Sequence, residues 1–337
     1  KVLRYAEKIY SAYIEHFSAD GHAYDMLHNH ALALFQLERW QDAATRYEEV
    51  IKLKADGKYA EASAHRALIC YLRLEKDLNS DISKKVDDLL NPIKLAPEEK
   101  LIASACERYV SIARKKGTKE DVPEAIFVEA RIYYQHNYFD KSGELFTLFT
   151  ENYKDHKHAY IAARLMLSSF NLAQDGKNLI KWTNTLISDD RFNQGKLGEI
   201  LVSIKENEDY NRCLELKSEP MKAAKCLLDY AAQYPTSKQA IRAYAGAARF
   251  YREARQRDLV INTYRQLAEN YPKDDRAPKA MFAIAQVHQE TANFTAAADA
   301  YEQFVETYPK YKGMIGEELM VPKALATATV IREGLGQ

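Results

Sequence analysis

Residues 301–310 read YEQFVETYPK and residues 264–273 read YRQLAENYPK, so nearly the same phrase occurs twice. A third version, LLDYAAQYP, occupies residues 227–235. The prolines that close the three versions stand 37 residues apart, at Pro235, Pro272 and Pro309. A fixed period of this size is the signature of a repeat protein, in which every unit is one supersecondary element.

Apolar and small residues within each version follow the spacing of a helix. In the last version they are separated by three or four residues, which places them on one helical face: Phe294, Ala297, Tyr301, Phe304 and Tyr308. The same spacing recurs one and two periods earlier, and again in residues 139–153, 40–50 and 3–17. Weaker matches fall at Val86, Leu90 and Ile93.

A second helical pattern lies between these stretches. In AMFAIAQVHQE, residues 280–290, the side chains of Met281, Ile284, Ala285 and His288 share one face. A small residue such as Ala285 lets two helix backbones approach closely, so we expect it at the contact between paired helices. The sequence therefore predicts an all-α chain of about eight helical hairpins, stacked as an α–α superhelix.

Composition agrees with this fold and excludes several functions. The 337 residues suffice for two globular domains or one elongated array, and 12 Gly and 9 Pro are few for an all-β protein. Lys+Arg and Asp+Glu are equal at 48 each, so no net field favours nucleic acid. No apolar run reaches the roughly 18 residues of a membrane span.

The two patterns together resemble the tetratricopeptide repeat. Its series of a large residue, a large–small pair, then Ala, aromatic and Pro is matched by Met281, Ile284, Ala285, His288, Ala297, Tyr301, Phe304 and Pro309. The family unit is 34 residues and this one is 37. The tyrosine–proline closure is similar to that of bacterial cell-envelope members, such as the lipoprotein of the β-barrel assembly machine and the Tol–Pal coordinator. That resemblance implies a periplasmic or envelope location, with the cytoplasm as the alternative.

The period is interrupted before residue 139, and the interval leaves room for an additional helix at about 98–116. We therefore divide the chain into two sub-arrays, residues 1–117 and 118–337, with the period clearest in 220–310. The first helix reads as the second member of a hairpin and the last as the first member. We expect the chain to be a section of a longer array.

Catalytic and metal-binding motifs are missing from the sequence. The pair His28 and His30 points in opposite directions on a helix, so it predicts a surface site at a helix start rather than a metal site. The four cysteines have no zinc spacing and are interpreted as buried free thiols: Cys70, Cys106, Cys213 and Cys226. We expect no enzyme activity, no cofactor and no metal.

Membership of the family would place the first helix of every hairpin along a concave groove. The groove positions would include Arg131, Tyr134, Arg242, Arg249, Arg252, Lys279 and Gln286. Guanidinium groups bind carboxylates in a bidentate manner, which favours an acidic peptide; an ordinary solvated surface is the alternative. The helix-A asparagine of the chaperone-binding members is replaced here, for example by Leu32 and Arg249.

These observations predict a non-catalytic scaffold or adaptor that binds a partner protein or peptide. One alternative is a module for glycans or lipid-linked ligands, which would use some of the 23 tyrosines in the groove. Most tyrosines fall on the apolar faces, so we interpret them as core residues. A second alternative is a regulatory domain of a larger enzyme or sensor.

Overall fold

The computed structural model describes residues 1–74, 91–118, 120–311 and 320–337. Within these ranges the regular structure is helical and contains no strand, so the predicted all-α class is confirmed. The chain forms two compact units, Lys1–Leu201 and Val202–Gln337. The weak repeat matches at Val86 and Leu90 lie outside the described residues.

The helices of the first unit are α1 (Val2–His16), α2 (Ala23–Gln36), α3 (Trp40–Leu53), α4 (Ala60–Leu74), α5 (Pro97–Lys116), α6 (Val122–Gln135), α7 (Phe139–Asn152), α8 (Ala159–Leu172) and α9 (Gly176–Leu186). Helix α10 (Gly195–Glu215) runs through the boundary between the units. The second unit continues with α11 (Pro220–Gln233), α12 (Ala240–Glu253), α13 (Arg257–Asn270), α14 (Arg276–Glu290), α15 (Phe294–Thr307) and α16 (Met320–Gly334). Within each unit, helices pack side by side as hairpins, as α2 does with α3 and α14 with α15.

The turn inside a hairpin has the same geometry in five copies. One residue other than glycine adopts a left-handed conformation in each, with φ between 56° and 62°: Glu38, Asn137, Gln174, Arg255 and Ala292. The following residue donates its N–H to a carbonyl five residues back, as Asn293 does to His288 at 3.0 Å. This bond closes the helix as in a Schellman motif, so the first helix ends at the same place in each copy.

The turn between hairpins explains the repeated tyrosine–proline phrase. In the copy at Tyr271 the chain makes two successive turns, from Asp274 N–H to the Tyr271 carbonyl and from Ala277 N–H to the Asp274 carbonyl. Pro272 has no N–H to continue the helix, so α13 ends before it. The Tyr271 hydroxyl donates to the Pro235 carbonyl at 2.8 Å, which joins one proline turn to the next.

Small residues occupy the contact between paired helices, as predicted. Ala285 is fully buried and packs with Phe282, Tyr301 and Phe304 on α14 and α15. Ala31 and Ala248 are equally buried in their own hairpins. A methyl group at these positions leaves room for the neighbouring helix, which sets the spacing of each pair.

The additional helix predicted at about 98–116 is α5, which packs against α4 and α6. The weak repeat match predicted that Ile93 lies on the apolar face of a helix, and this is wrong. Ile93 lies before α5, outside any helix, and is 44% exposed. Its N–H donates to the His136 carbonyl at 2.9 Å. The sub-array boundary after residue 117 stays a prediction, whereas the two compact units divide after Leu201.

The prediction for the cysteines is correct for one pair and wrong for the other. Cys70 and Cys106 are buried free thiols. Cys213 of α10 and Cys226 of α11 instead form a disulfide, with their Cα atoms 5.3 Å apart. The sequence spacing gave no sign of this bond, because it depends on how two antiparallel helices are set side by side.

Candidate peptide-binding surface

Helix α12 separates its small residues from its arginines. Ala243, Ala247 and Ala248 are buried against neighbouring helices. Arg242, Arg249 and Arg252 are exposed, at positions i, i+7 and i+10. That spacing keeps the three side chains on roughly one face of the helix. The three arginines are therefore exposed, while the groove that they were expected to line stays a prediction.

The internal partners of two of these arginines are distant and solvated. Arg249 Nε lies 3.7 Å from Glu253 Oε1, and its guanidinium lies 4.9 Å from the centroid of the Phe250 ring. Arg252 Nη1 lies 3.5 Å from Glu290 Oε1. Exposed ion pairs of this kind contribute little to stability, so a ligand carboxylate can replace the internal partner at small cost.

The Arg252–Glu290 ion pair joins α12 to α14, because Glu290 belongs to α14. Arg252, near the end of α12, thus lies beside the end of α14. Lys279 and Gln286 lie on α14 and are half-buried. We call the set of Arg242, Arg249 and Arg252 on α12 with Lys279 and Gln286 on α14 the arginine face.

Arg131 and Tyr134 lie on α6 in the first unit. Both are half-buried. The Tyr134 hydroxyl is 2.8 Å from Ser168 Oγ of α8, and its ring packs edge-on against Phe139. Burial lowers the pKa of Arg131. Tyr134 therefore serves at least partly to join neighbouring hairpins.

A charged group beside this surface was missed in the sequence. Glu124 of α6 pairs with Lys157 Nζ at 2.6 Å and with His158 Nε2 at 3.2 Å. Burial favours the neutral carboxyl, but the bond from Lys157 and the nearby charges of Lys157, His158 and His156 together outweigh it, so the pKa of Glu124 is lowered. The His158 ring stacks on Phe127 at 4.4 Å. The available signal was the helical spacing of Glu124, Phe127 and Arg131 on α6.

The prediction that His28 and His30 occupy the surface is wrong. Their exposed fractions are 6% and 3%, and both lie inside α2. His28 stacks on Tyr59 at 3.9 Å, and its Nδ1 is 3.3 Å from Ser63 Oγ. Burial lowers the pKa of His28 to about 4. The error came from treating polarity as exposure, although a neutral imidazole with partners is suited to a core.

The tyrosines are used mainly for packing. All 23 lie in the described ranges, and Tyr5 alone among them is exposed. Tyr47, Tyr109 and Tyr301 are examples of full burial. Others make bonds between hairpins: Tyr24 accepts from Tyr59 N–H at 3.1 Å, and Tyr160 accepts from Leu197 N–H at 2.7 Å. Such side chains offer little free ring face for a sugar.

Two further features bear on possible ligands. Among the described residues, no group of three or more His, Cys, Asp or Glu side chains is arranged to hold a metal ion. In the same ranges, no helix has the length and apolar content needed to cross a bilayer.

Several known proteins are similar to this chain. It resembles the TPR2AB domain of yeast Sti1 in its pHSP90 complex, at 11% identity over 92% of this chain and 100% of that one, with a TM-score of 0.32. It also resembles the TPR domain of P58(IPK), at 13% identity, 98% and 94% coverage and a TM-score of 0.28. A repeat-containing protein of Cytophaga hutchinsonii gives 13% identity, 89% and 98% coverage and a TM-score of 0.29.

A search of curated proteins found no match to the sequence. One family model matches the chain, the tetratricopeptide repeat, over residues 279–311. This stretch begins within α14, includes α15 and ends just after Pro309. It also contains Lys279 and Gln286 of the arginine face. Residues 279–311 therefore match the tetratricopeptide repeat, within an all-α chain of helical hairpins.

Proposed function

We propose that the protein is a non-catalytic scaffold that binds an acidic segment of a partner protein across the arginine face. The tetratricopeptide match and the hairpin fold support a role in protein–protein interaction. The observation that carries the acidic specificity is the set of three exposed arginines on one face of α12. Arg252 lies beside Glu290 of α14, and the proposal includes Lys279 of that helix.

The geometry suits a carboxylate-bearing chain better than an apolar one. Each guanidinium presents a planar fork of donors that fits a carboxylate, whereas a lysine acts as a point charge. Arg249 has an exposed fraction of 64% and Arg252 of 47%, so both can be reached from solvent. Binding at such a surface depends on electrostatics, so affinity should fall as ionic strength rises.

A location in the bacterial periplasm or cell envelope is part of the proposal. The disulfide between Cys213 and Cys226 favours an oxidising compartment over the cytoplasm. The glycan alternative has less support, because the tyrosines are engaged in packing. No described feature favours a regulatory role within a larger enzyme.

Charge reversal tests the proposal. We expect the wild-type protein to bind a fluorescent Glu-rich peptide in an anisotropy titration and to bind its Gln-rich analogue at least tenfold more weakly, as lost charge-assisted bonds require (about 1.4 kcal/mol per tenfold). Changing Arg242, Arg249 and Arg252 together to Glu should abolish binding of the Glu-rich peptide. The helical circular dichroism should not change, because the three side chains are exposed.

The matched control reverses three other exposed basic residues of the same unit, Arg257, Arg265 and Lys273. It alters the net charge equally but leaves the arginine face intact. Retained binding in the control and loss in the first variant would place the site on the arginine face. Equal binding by both variants would remove the proposed site.

A further inference from the structure

The disulfide of the second unit joins α10 to α11 across 13 residues of sequence. The two cysteines are unequally exposed: Cys213 is 1% exposed, while Cys226 is half-buried. A cavity of about 270 Å³ opens beside the bond and is lined by both cysteines. A molecule entering this cavity therefore reaches Cys226 more readily than Cys213.

Basic side chains border the cavity. Arg212, Lys222 and Lys225 are exposed and line it. Lys222 pairs with Glu219 and Arg212 lies 3.0 Å from Asp209, whereas Lys225 projects from the middle of α11. These cations favour the approach of an anion.

Two acidic residues also line the cavity, Asp209 and Asp229. Asp209 is 5% exposed, and Lys205 Nζ lies 3.3 Å from its Oδ1. Arg212 is at 3.0 Å from the same oxygen, so two cations compensate this charge. Asp229 is exposed to solvent. Since Arg212 is paired with Asp209 and Lys222 with Glu219, Lys225 is the lining cation for which the described residues show no ion pair, and it is the group that favours anionic reagents.

We propose that the Cys213–Cys226 disulfide is a thiol–disulfide exchange site for anionic thiols of the glutathione class. An incoming thiolate attacks Cys226 Sγ, forms a mixed disulfide with it and displaces Cys213 as a thiolate. A second thiolate then attacks the sulfur of the bound thiol and releases Cys226 as a thiolate. Two thiols are oxidised to one disulfide, the protein disulfide gains the two electrons, and solvent supplies protons to the thiolates that need them.

The fold keeps the hairpin joined when the bond opens. Tyr234 donates to Asp209 Oδ2 at 2.7 Å, and Tyr230 donates to Glu206 Oε1 at 3.1 Å, each across α10 and α11. Exchange therefore does not require the unit to unfold. Cys70 and Cys106 differ from the disulfide cysteines, because both are buried free thiols that a reagent in solution does not reach. Burial raises the pKa of Cys70 to about 12.

The test measures opening of the bond in the folded protein. Oxidised protein is incubated with glutathione, acid-quenched and mapped by mass spectrometry. We expect the mixed disulfide at Cys226, and iodoacetamide labelling of folded protein should leave Cys70 and Cys106 unmodified. Glutathione should react at least about threefold faster than the cationic thiol cysteamine, after correction for the thiolate fraction of each. Lys225→Gln should reduce that preference.

Three results would overturn the proposal: a glutathione adduct at Cys213 rather than Cys226, opening of the bond only when the circular dichroism shows unfolding, or cysteamine reacting as fast as glutathione. The variants Cys213→Ser and Cys226→Ser provide an independent comparison with oxidised glutathione. We expect Cys226 in the first variant to react at least about tenfold faster than Cys213 in the second. If either variant fails to fold, the wild-type experiment still decides the question.

Discussion

Helices α2 and α14 each open a hairpin, and their corresponding positions are buried to the same depth with different chemistry. His28 of α2 is 6% exposed, and Phe282, its counterpart on α14, is 5% exposed. His30 is 3% exposed and corresponds to Ile284 at 7%. The repeat therefore specifies how deeply a position is buried, while neighbouring residues decide whether a polar group is tolerated there.

Helix α6 extends the comparison with a carboxyl group. Glu129 corresponds to His30 and Ile284 and is 3% exposed. Lys141 Nζ lies 3.7 Å from Glu129 Oε1, and burial raises the pKa of Glu129 to about 7. The first unit thus carries titratable groups where α14 carries apolar ones. Its stability should depend on pH for reasons that do not apply to α14.

The largest expected effect is at Glu129. The pKa of Glu129 is about 7 in the folded state and 4.5 in the unfolded state, so the folded state holds the proton more tightly. The resulting contribution to the free energy of unfolding is fully present below pH 4.5 and is lost as the pH rises through 7. At pH 8 the buried charge costs about 3 kcal/mol. Glu129→Gln keeps the shape and should recover most of this in urea unfolding at pH 8. Equal stability of both proteins at pH 8 would contradict the assignment.

His28 should show the opposite dependence. Its folded pKa of about 4 lies below the ordinary 6.5, so the unfolded state takes up the proton first. The stability is present above pH 6.5 and is lost as pH falls towards 4, by about 2 kcal/mol at pH 5. His28→Phe copies Phe282 and should flatten that part of the curve. An NMR titration that placed the pKa of His28 near 6.5 would refute the explanation.

Overpacking tests what the two helices have in common. Ala31 of α2 and Ala285 of α14 correspond and are both fully buried. Either residue changed to Leu should destabilise its hairpin by roughly 1–3 kcal/mol, because the paired helices leave no space for the larger side chain. The control is Ala326→Leu at an exposed site on α16. If the Ala285→Leu variant melted at the same temperature as the control variant, the repeat alignment would be wrong.

Helix phase was the most predictable property of this chain. The spacing of Tyr301 and Phe304, and the small residue at Ala285, placed the buried faces of α14 and α15 correctly. The arginines of α12 were predicted on one face and are exposed there. Periodicity succeeds here because a helix turns by a constant angle per residue, whatever the rest of the fold does.

Contacts between helices were less predictable. His28 and His30 were expected at the surface, since their polarity was visible in the sequence and Ser63, Tyr59 and Glu7 were not visible as their partners. The cluster of Glu124 with His158 was missed for the same reason. Such pairs join residues from different helices, so their proximity depends on packing that no local pattern encodes.

The sequence by itself determined the helical class, the period of 37 residues and the faces that become buried, because these follow from local spacing and from prolines such as Pro272. The tertiary structure decided which buried positions could be polar and which cysteines pair. Cys213 meets Cys226, while Cys70 and Cys106 remain free. The reason is geometric: bonds and ion pairs form at distances of a few ångströms, and only the packing of helices brings residues that close.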